Sequence, residues 1–367
     1  MGKIGIISLN THTYFNNYGA ILHSFAFQHF LKKNQVESEI LDYVPPRLEN
    51  WNLSAPWKSL FRMKSKLFFR FFFLQYPYLI RKKKIDSFVK TNMIMTGISY
   101  NHSSLEKAIL PYKIMICESD VIWSNGFWDD AYFLALKNMV DIKKIAYSPS
   151  MADCKISEEK SEKLKGYLDK FDFISGRESY ECDFLKMYTN KEVKHVCDPV
   201  FLLESDDYNA VTAKRMVAED YLLLYLPVDN NKYLRECACQ YAKKYSLKIV
   251  EVDSRLNIKL DHKCFITAGI EEFLSLIKHS SICFTNSFHA VSFSIIFEKE
   301  FYAFSRATKG KVEDVLNTIG LTDRFIEGTF IEKNKINYDV VKNRLGVWKQ
   351  ECQNWILNAI RACGNEK

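Results

Sequence analysis

The segment with the clearest chemical potential spans residues 282–296, which read ICFTNSFHAVSFSII. A short apolar run, typical of a buried strand, meets a Thr-Asn-Ser corner and then a segment that must turn helical. Because α/β sheets place ligands at the carboxyl ends of their strands, Ser287 and His289 are predicted to lie at a ligand site. Free backbone N–H groups and the helix dipole favour an anion there, and the imidazole could move a proton. A structural hydrogen bond is the alternative role for His289.

Several other charged residues follow predicted strands and are candidates to hold or react with a ligand. Arg177 could bind a carboxylate or phosphate bidentately, or it could simply pair with neighbouring Glu178. Arg306 and Lys309 could face the same cleft, although surface solvation explains them equally well. Asp120 is a candidate base or sugar-hydroxyl acceptor, with loop capping as the alternative.

The first predicted loop-to-helix corner contains Asn17, Tyr18 and Gly19. Gly19 permits a close backbone approach, whereas Asn17 could cap the helix instead of touching a ligand. Trp123 could stack on a sugar face, and packing in the core is the competing interpretation. Asp198 precedes a proline, an arrangement that fits a plain turn between domains.

Length and composition favour a two-domain globular protein. A chain of 367 residues exceeds what one hydrophobic core usually organises. With 47% hydrophobic and 26% charged residues, the composition is ordinary. The net charge of +7 fits an anionic small molecule or a phospholipid surface, but it is too small to indicate a nucleic-acid binder.

No pattern in the sequence indicates a metal, a cofactor or a membrane span. The ten cysteines include no CxxC pair, and Cys237-Ala238-Cys239 lacks partners at metal-site spacing, so we expect reduced thiols. Asp129-Asp130 lacks the spacing of an acidic metal motif. There is no signal-peptide pattern after Met1 and no apolar run of spanning length, which predicts a cytoplasmic protein.

Strand-like and helix-like runs alternate along the chain, which is typical of parallel α/β folds. The alternation restarts after the acidic residues 204–207, so we predict two Rossmann-like domains facing a cleft. The first domain would span residues 1–205 and the second residues 206–337. A C-terminal helix within residues 338–367 is expected to pack back on the first domain.

Residues 57–88 interleave Lys and Arg with Phe, Leu and Tyr. As a helix, this insertion could lie on an anionic membrane surface with its aromatic side buried among the lipids. The alternative is a helix pair whose aromatic residues pack on the core while the basic residues are solvated.

Six motifs, in order, resemble those of the polysaccharide pyruvyl transferase family. They are NYGAIL at 17–22 with LDYVP at 41–45, SDVIW at 119–123, AYSPS at 146–150, ISGRE at 174–178, CDPV at 197–200 and TNSFHA at 285–290. Some positions depart from the pattern: Glu118 stands where the family usually has Gly, Asn286 replaces Asp, and Ala290 replaces Gly.

The resemblance implies a two-domain fold similar to the GT-B glycosyltransferases and transfer of pyruvate from phosphoenolpyruvate to a sugar as a cyclic ketal. His289 would then be the central catalytic residue and Asp120 the base. The first domain would carry the acceptor, in contact with Asn17, Tyr18, Gly19 and Trp123, and the second domain would carry the donor. Arg177, Asn286, Ser287, Arg306 and Lys309 would hold the donor.

The acceptor is expected to be a sugar of a surface polysaccharide or its lipid-linked precursor, reached at the inner face of the cell membrane. Two alternatives stay open. One is a nucleotide-sugar-dependent glycosyltransferase of the same fold, and the other is a non-catalytic sugar-binding relative.

Overall fold

The computed structural model describes residues 2–12, 17–49, 65–227, 231–252, 263–304 and 310–365, with side chains from residue 76 onward in the helix that begins at Ser65. The chain forms two α/β domains, each built on a parallel sheet. Arg306 and Lys309 lie outside the described residues. So do residues 57–64 of the basic aromatic insertion, and the side chains of residues 65–75 are not described.

The first sheet has seven strands in the order β3-β2-β1-β4-β5-β6-β7, and every pairing is parallel. Its strands are β1 (Ile4–Ile7), β2 (Ser38–Tyr43), β3 (Met95–Tyr100), β4 (Ile114–Glu118), β5 (Lys143–Tyr147), β6 (Phe173–Gly176) and β7 (Val193–His195). The central strands β1 and β4 are buried along their whole length, which explains their continuous apolar runs.

The second sheet has six parallel strands in the order β10-β9-β8-β11-β12-β13. Its strands are β8 (Tyr221–Tyr225), β9 (Lys248–Val252), β10 (Lys263–Cys264), β11 (Ile282–Thr285), β12 (Glu300–Phe304) and β13 (Phe325–Ile326). The first sheet ends at His195 and the second begins at Tyr221, so the predicted boundary near residue 205 falls in the connection.

Helices cover both faces of the sheets. They are α1 (Tyr18–Lys33), α2 (Pro46–Glu49), α3 (Ser65–Asn92), α4 (His102–Lys107), α5 (Glu158–Leu168), α6 (Ser179–Lys186), α7 (Ser205–Asn209), α8 (Lys232–Lys244), α9 (Ile270–Lys278), α10 (Phe288–Ile296), α11 (Gly310–Ile319) and α12 (Tyr338–Asn365). Helix α1 buries 13 of its 16 residues, because it lies between the first sheet and the second domain.

The C-terminal helix α12 lies on the first domain, in contact with β4 and β5. Its Trp355 ring packs near Tyr147 and Phe173, and the Gln353 side chain donates to the carbonyl of Leu202 over 2.8 Å. The helix therefore links the end of the chain to the first sheet after the chain has completed the second domain.

The described part of the basic aromatic insertion packs on protein. In α3, Ile85, Phe88 and Val89 are buried in the core. Lys84 forms an ion pair with Glu272 of the second domain, with 2.6 Å between Nζ and Oε1. These contacts agree with the core-packing alternative for residues 76–88. Among the described residues, no helix combines the length and apolar character that a membrane span requires.

Candidate active site

The candidate site lies where the strand order reverses in both sheets. In the first sheet the reversal falls between β1 and β4, and in the second between β8 and β11. The chain leaves β1 towards α1, leaves β4 into the loop at Ser119 and Asp120, and leaves β11 into α10. Crevices at such reversals are the usual ligand sites of parallel α/β sheets.

His289 is the second residue of α10, and only 11% of its side chain is exposed. The hydroxyl of Ser287 caps this helix by accepting a hydrogen bond from the N–H of Ala290, over 3.3 Å. The imidazole lies directly against Gly19, because a Cβ built on that glycine would be 2.0 Å from Nδ1 of His289. Nε2 of His289 has no hydrogen-bond partner among the described residues.

Arg177 and Asp198 bring the first domain to the same place. The guanidinium donates to Asp198 Oδ2 over 2.9 Å and to Glu178 Oε1 over 2.8 Å, and it lies over the ring of Phe288. Asp198 Oδ2 is in turn 4.0 Å from Nε2 of His289. The imidazole of the second domain and the guanidinium of the first therefore share one carboxylate.

Asp120 occupies a left-handed backbone conformation, with φ of 48°, immediately after Ser119 with φ of 47°. Two such residues without glycine turn the chain sharply at the end of β4. Burial alone would raise the pKa of Asp120, but the charges of Lys311, His23 and Arg177 lower it below its usual value. Asp120 is therefore held as a carboxylate among cations.

Lys311, near the start of α11, reaches this cluster from the second domain. Burial lowers its pKa, and the nearby Arg177 lowers it further, while Glu178 and Asp120 partly compensate. A half-buried ammonium group among these carboxylates adds a third cation to the site.

The protonation of His289 differs from that of an exposed histidine. Burial, which disfavours the imidazolium, lowers its pKa to about 4, against the attraction of Asp198 and Asp120. The imidazole is therefore neutral near pH 7, ready to accept a proton when negative charge arrives.

A family model described as polysaccharide pyruvyl transferase matches residues 17–308, which is most of the chain. This protein belongs to the polysaccharide pyruvyl transferase family. No curated protein matches the chain.

The solved structures similar to this pyruvyl transferase family member show its fold. UDP-GlcNAc 2-epimerase from Methanocaldococcus jannaschii, in complex with UDP-GlcNAc and UDP, is 14% identical with a TM-score of 0.51, covering 98% of this chain and 100% of its own. The S. aureus MnaA–UDP structure is 12% identical with a TM-score of 0.52, covering 100% and 97%. The fold is the two-domain GT-B architecture, as the resemblance implied.

Among the residues predicted from the family motifs, the structure brings four together: His289, Arg177, Asp120 and Gly19. Asn286, at the end of the β11 corner, is 2% exposed. Asn17 caps α1, since its side chain accepts a hydrogen bond from the N–H of Gly19 over 3.0 Å.

Two predicted acceptor residues lie elsewhere. Trp123 is fully buried, stacks on Phe133 and donates through Nε1 to the carbonyl of Tyr132, so it has no face open to a sugar. Tyr18 is 1% exposed, stacks on Phe273 and donates to the carbonyl of Ala268, which makes it a contact between domains.

The sequence alone does not indicate Asp198, His23 or Glu118 as members of the site. Asp198 does cap the short helix Pro199–Leu202, as a turn residue would, by accepting from the N–H of Val200. The same carboxylate also accepts from Ser119 and Arg177. Lys311 follows β12 in the chain, as Arg306 and Lys309 do, and that position predicts that it could face the same cleft.

The acidic pair Asp129-Asp130 is occupied with protein contacts: Tyr43 donates to Asp129, and Tyr167 donates to Asp130. Over the described ranges, no group of three or more His, Cys, Asp or Glu side chains is arranged to hold a metal ion.

Proposed function

We propose that this protein transfers the enolpyruvyl group of phosphoenolpyruvate to a sugar and closes it to a pyruvate ketal, with release of phosphate. The observation that carries the proposal is the shared carboxylate: Asp198 binds Arg177 of the first domain and lies 4.0 Å from His289 of the second. Beside this carboxylate a guanidinium from one domain and an imidazole from the other lie close together, where a donor with two anionic groups could find positive charge and a group that transfers a proton.

The donor carries a carboxylate and a phosphate, so its site needs positive charge in two places. Arg177 and Lys311 supply cations from opposite domains. The first N–H groups of α1 and α10 add donors at the same place, and the helix dipoles favour anions there. We assign the phosphate to the side of His289, where those two helices begin, and the carboxylate to the side of Lys311.

The reaction needs a proton on the methylene carbon of the enol ester and a base for the sugar hydroxyl. The approaching phosphate raises the pKa of His289, which takes up a proton and delivers it to that carbon. A sugar hydroxyl then bonds to the central carbon and gives its proton to Asp120. The bond to phosphate breaks as Asp120 passes that proton to the leaving phosphate oxygen. A second hydroxyl then bonds to the same carbon, closes the ketal ring and gives its proton to the neutral imidazole of His289.

The proposed acceptor is a sugar of a surface polysaccharide or of its lipid-linked precursor. A lipid-linked acceptor would place the enzyme at the inner face of the cell membrane. The exposed Tyr76 and Leu79, at the start of the described part of α3, are the residues proposed to touch that surface.

Calorimetric titration at pH 7.5 tests the donor. Phosphoenolpyruvate should bind with uptake of up to one proton, seen as a dependence of the binding enthalpy on the ionisation enthalpy of the buffer. His289→Gln should lose that uptake. Binding of UDP-GlcNAc without binding of phosphoenolpyruvate would overturn the proposal in favour of a nucleotide-sugar enzyme, and binding of neither would remove its basis.

A further inference from the structure

A second histidine lies beneath the candidate site, completely buried. His23 of α1 and Glu118 at the end of β4 both have fully inaccessible side chains, with 3.0 Å between Nδ1 of His23 and Oε2 of Glu118. Ser24 donates to the other carboxylate oxygen over 2.5 Å. Each oxygen of the Glu118 carboxylate therefore has a hydrogen-bond partner from α1, and neither is exposed to solvent.

The His23 ring faces that of His289, with 6.3 Å between the ring centroids and an angle of 26° between the planes. Glu118 is bonded to the edge of the His23 ring that carries Nδ1. We propose that His23, kept as an imidazolium by Glu118, is a positioning residue that holds the facing His289 in its neutral form until an anionic donor binds.

Charges from every surrounding element act on His289. Asp198 before Pro199–Leu202 and Asp120 after β4 favour its protonation, whereas Arg177 after β6 and His23 on α1 oppose it. Lys311 of α11 faces Asp120 and offsets part of that carboxylate. Helix α10 itself carries no other charged side chain.

The balance of these charges depends on whether His23 is protonated. Burial opposes its charge, but the attraction and hydrogen bond of Glu118, together with the charges of Asp120 and Asp198, outweigh burial and raise the pKa of His23 to about 9.

The role of His289 in this inference rests on the proposed function, but the measurement does not. Two charges 6.3 Å apart, at an effective dielectric constant of about 20, change the pKa of His289 by about two pH units. Loss of the His23 charge should therefore raise that pKa from about 4 to about 6. If the Glu118 carboxylate were removed and His23 kept its proton, the pKa of His289 would instead fall, because an attracting negative charge would be lost.

NMR titration of the full-length protein with labelled histidine side chains, without donor or acceptor, tests the inference between pH 5 and 8.5. Substitution of each ring assigns the signals. In the wild type, His23 should stay an imidazolium to about pH 8, and His289 should stay neutral. In Glu118→Gln, His23 should be neutral at pH 7.5. The pKa of His289 should rise, but by less than two pH units, because the attraction of the Glu118 carboxylate is lost together with the charge of His23.

Two further variants complete the test. His23→Gln, which keeps the Glu118 carboxylate, should show the larger rise, with His289 titrating near pH 6. The pKa of His289 should therefore rise in both variants, so the result does not depend on one variant folding. Ser24→Ala, which removes a donor to Glu118 but keeps both charges, should leave His289 neutral throughout. The inference would be overturned if the pKa of His289 were unchanged or lower in both Gln variants, whatever reaction the protein catalyses.

Discussion

At the scale of single residues, the site depends on the contact between Gly19 and His289. The two residues are 270 positions apart in the chain, and they meet because α1 and α10 begin at the same crevice. The absence of a side chain at Gly19 leaves room for the imidazole, which is a steric requirement and not a matter of backbone flexibility.

Gly19→Ala should therefore displace the imidazole while leaving the helix intact. A Cβ at this position would be 2.0 Å from Nδ1 of His289, so the ring must move. If the ring binds the phosphate, loss of that hydrogen bond costs about 1.5 kcal/mol or more, which is about a tenfold weaker affinity for phosphoenolpyruvate. Calorimetric titration measures the change.

Gly166→Ala is the matched control, because Gly166 lies within a helix and a Cβ there meets nothing within 4 Å. Its affinity for phosphoenolpyruvate should equal that of the wild type, and its stability should rise by up to about 1 kcal/mol. Equal affinity in Gly19→Ala and Gly166→Ala would show that His289 does not touch the donor.

The sequence could identify residues at strand ends but not the partners they would meet. His289, Arg177 and Asp120 were predictable because each follows a buried strand, where parallel sheets bind ligands. The pairing of His23 with Glu118 was not predictable. Polar residues such as His23 and Ser24 are common in helices, and only the three-dimensional structure shows that they lie beside the end of β4.

At the scale of elements, apolar runs and periodicity predicted the strand and the helix that carry the corner at residues 285–290. They are β11 (Ile282–Thr285) and α10 (Phe288–Ile296). The strand β3 lies at the edge of the sheet, and three of its six residues are polar or glycine, so it has no apolar run from which it could be predicted.

For helix α3 the sequence allowed two roles, contact with a membrane surface or packing on the protein core. Its described half packs between the domains: Arg81 lies over the ring of Tyr18 and donates to the carbonyl of Ile266, and Lys84 pairs with Glu272. Phe88 is 1% exposed and meets Phe25 edge to face. Through these contacts helix α3 connects the first domain to the second.

Phe88→Ala should therefore destabilise the protein, by about 3 to 4 kcal/mol, because it leaves a cavity in the core. Urea denaturation should show a clearly lower midpoint. Lys82→Gln, which changes an exposed residue one turn and a half away, should alter the free energy of unfolding by no more than about 0.5 kcal/mol. If α3 served only to contact lipid, Phe88→Ala would match Lys82→Gln in stability and would instead lose association with anionic vesicles.

At the scale of the whole molecule, several contacts between the domains fix the crevice. Asp314 of α11 accepts from the N–H of Ser179 over 3.0 Å and lies 3.1 Å from Nε2 of His195. Tyr18 donates to Ala268 on another side of the interface. These contacts hold the carboxyl ends of both sheets towards one another.

The two-domain fold was predictable from length and from the restart of the strand-helix alternation. The membership of the site was not, because it depends on how the two domains are packed. Lys311 and Asp198 are separated by more than a hundred residues and belong to different domains, and no periodicity within either segment relates them.

The central claim is that phosphoenolpyruvate binds in the crevice between the domains. A crystal structure of the protein soaked with phosphoenolpyruvate tests it most directly. The account predicts the phosphate within hydrogen-bond distance of Nε2 of His289 and the carboxylate facing Lys311 and Arg177, so that the donor touches both domains. A donor bound to one domain only, or bound away from His289, would contradict the account.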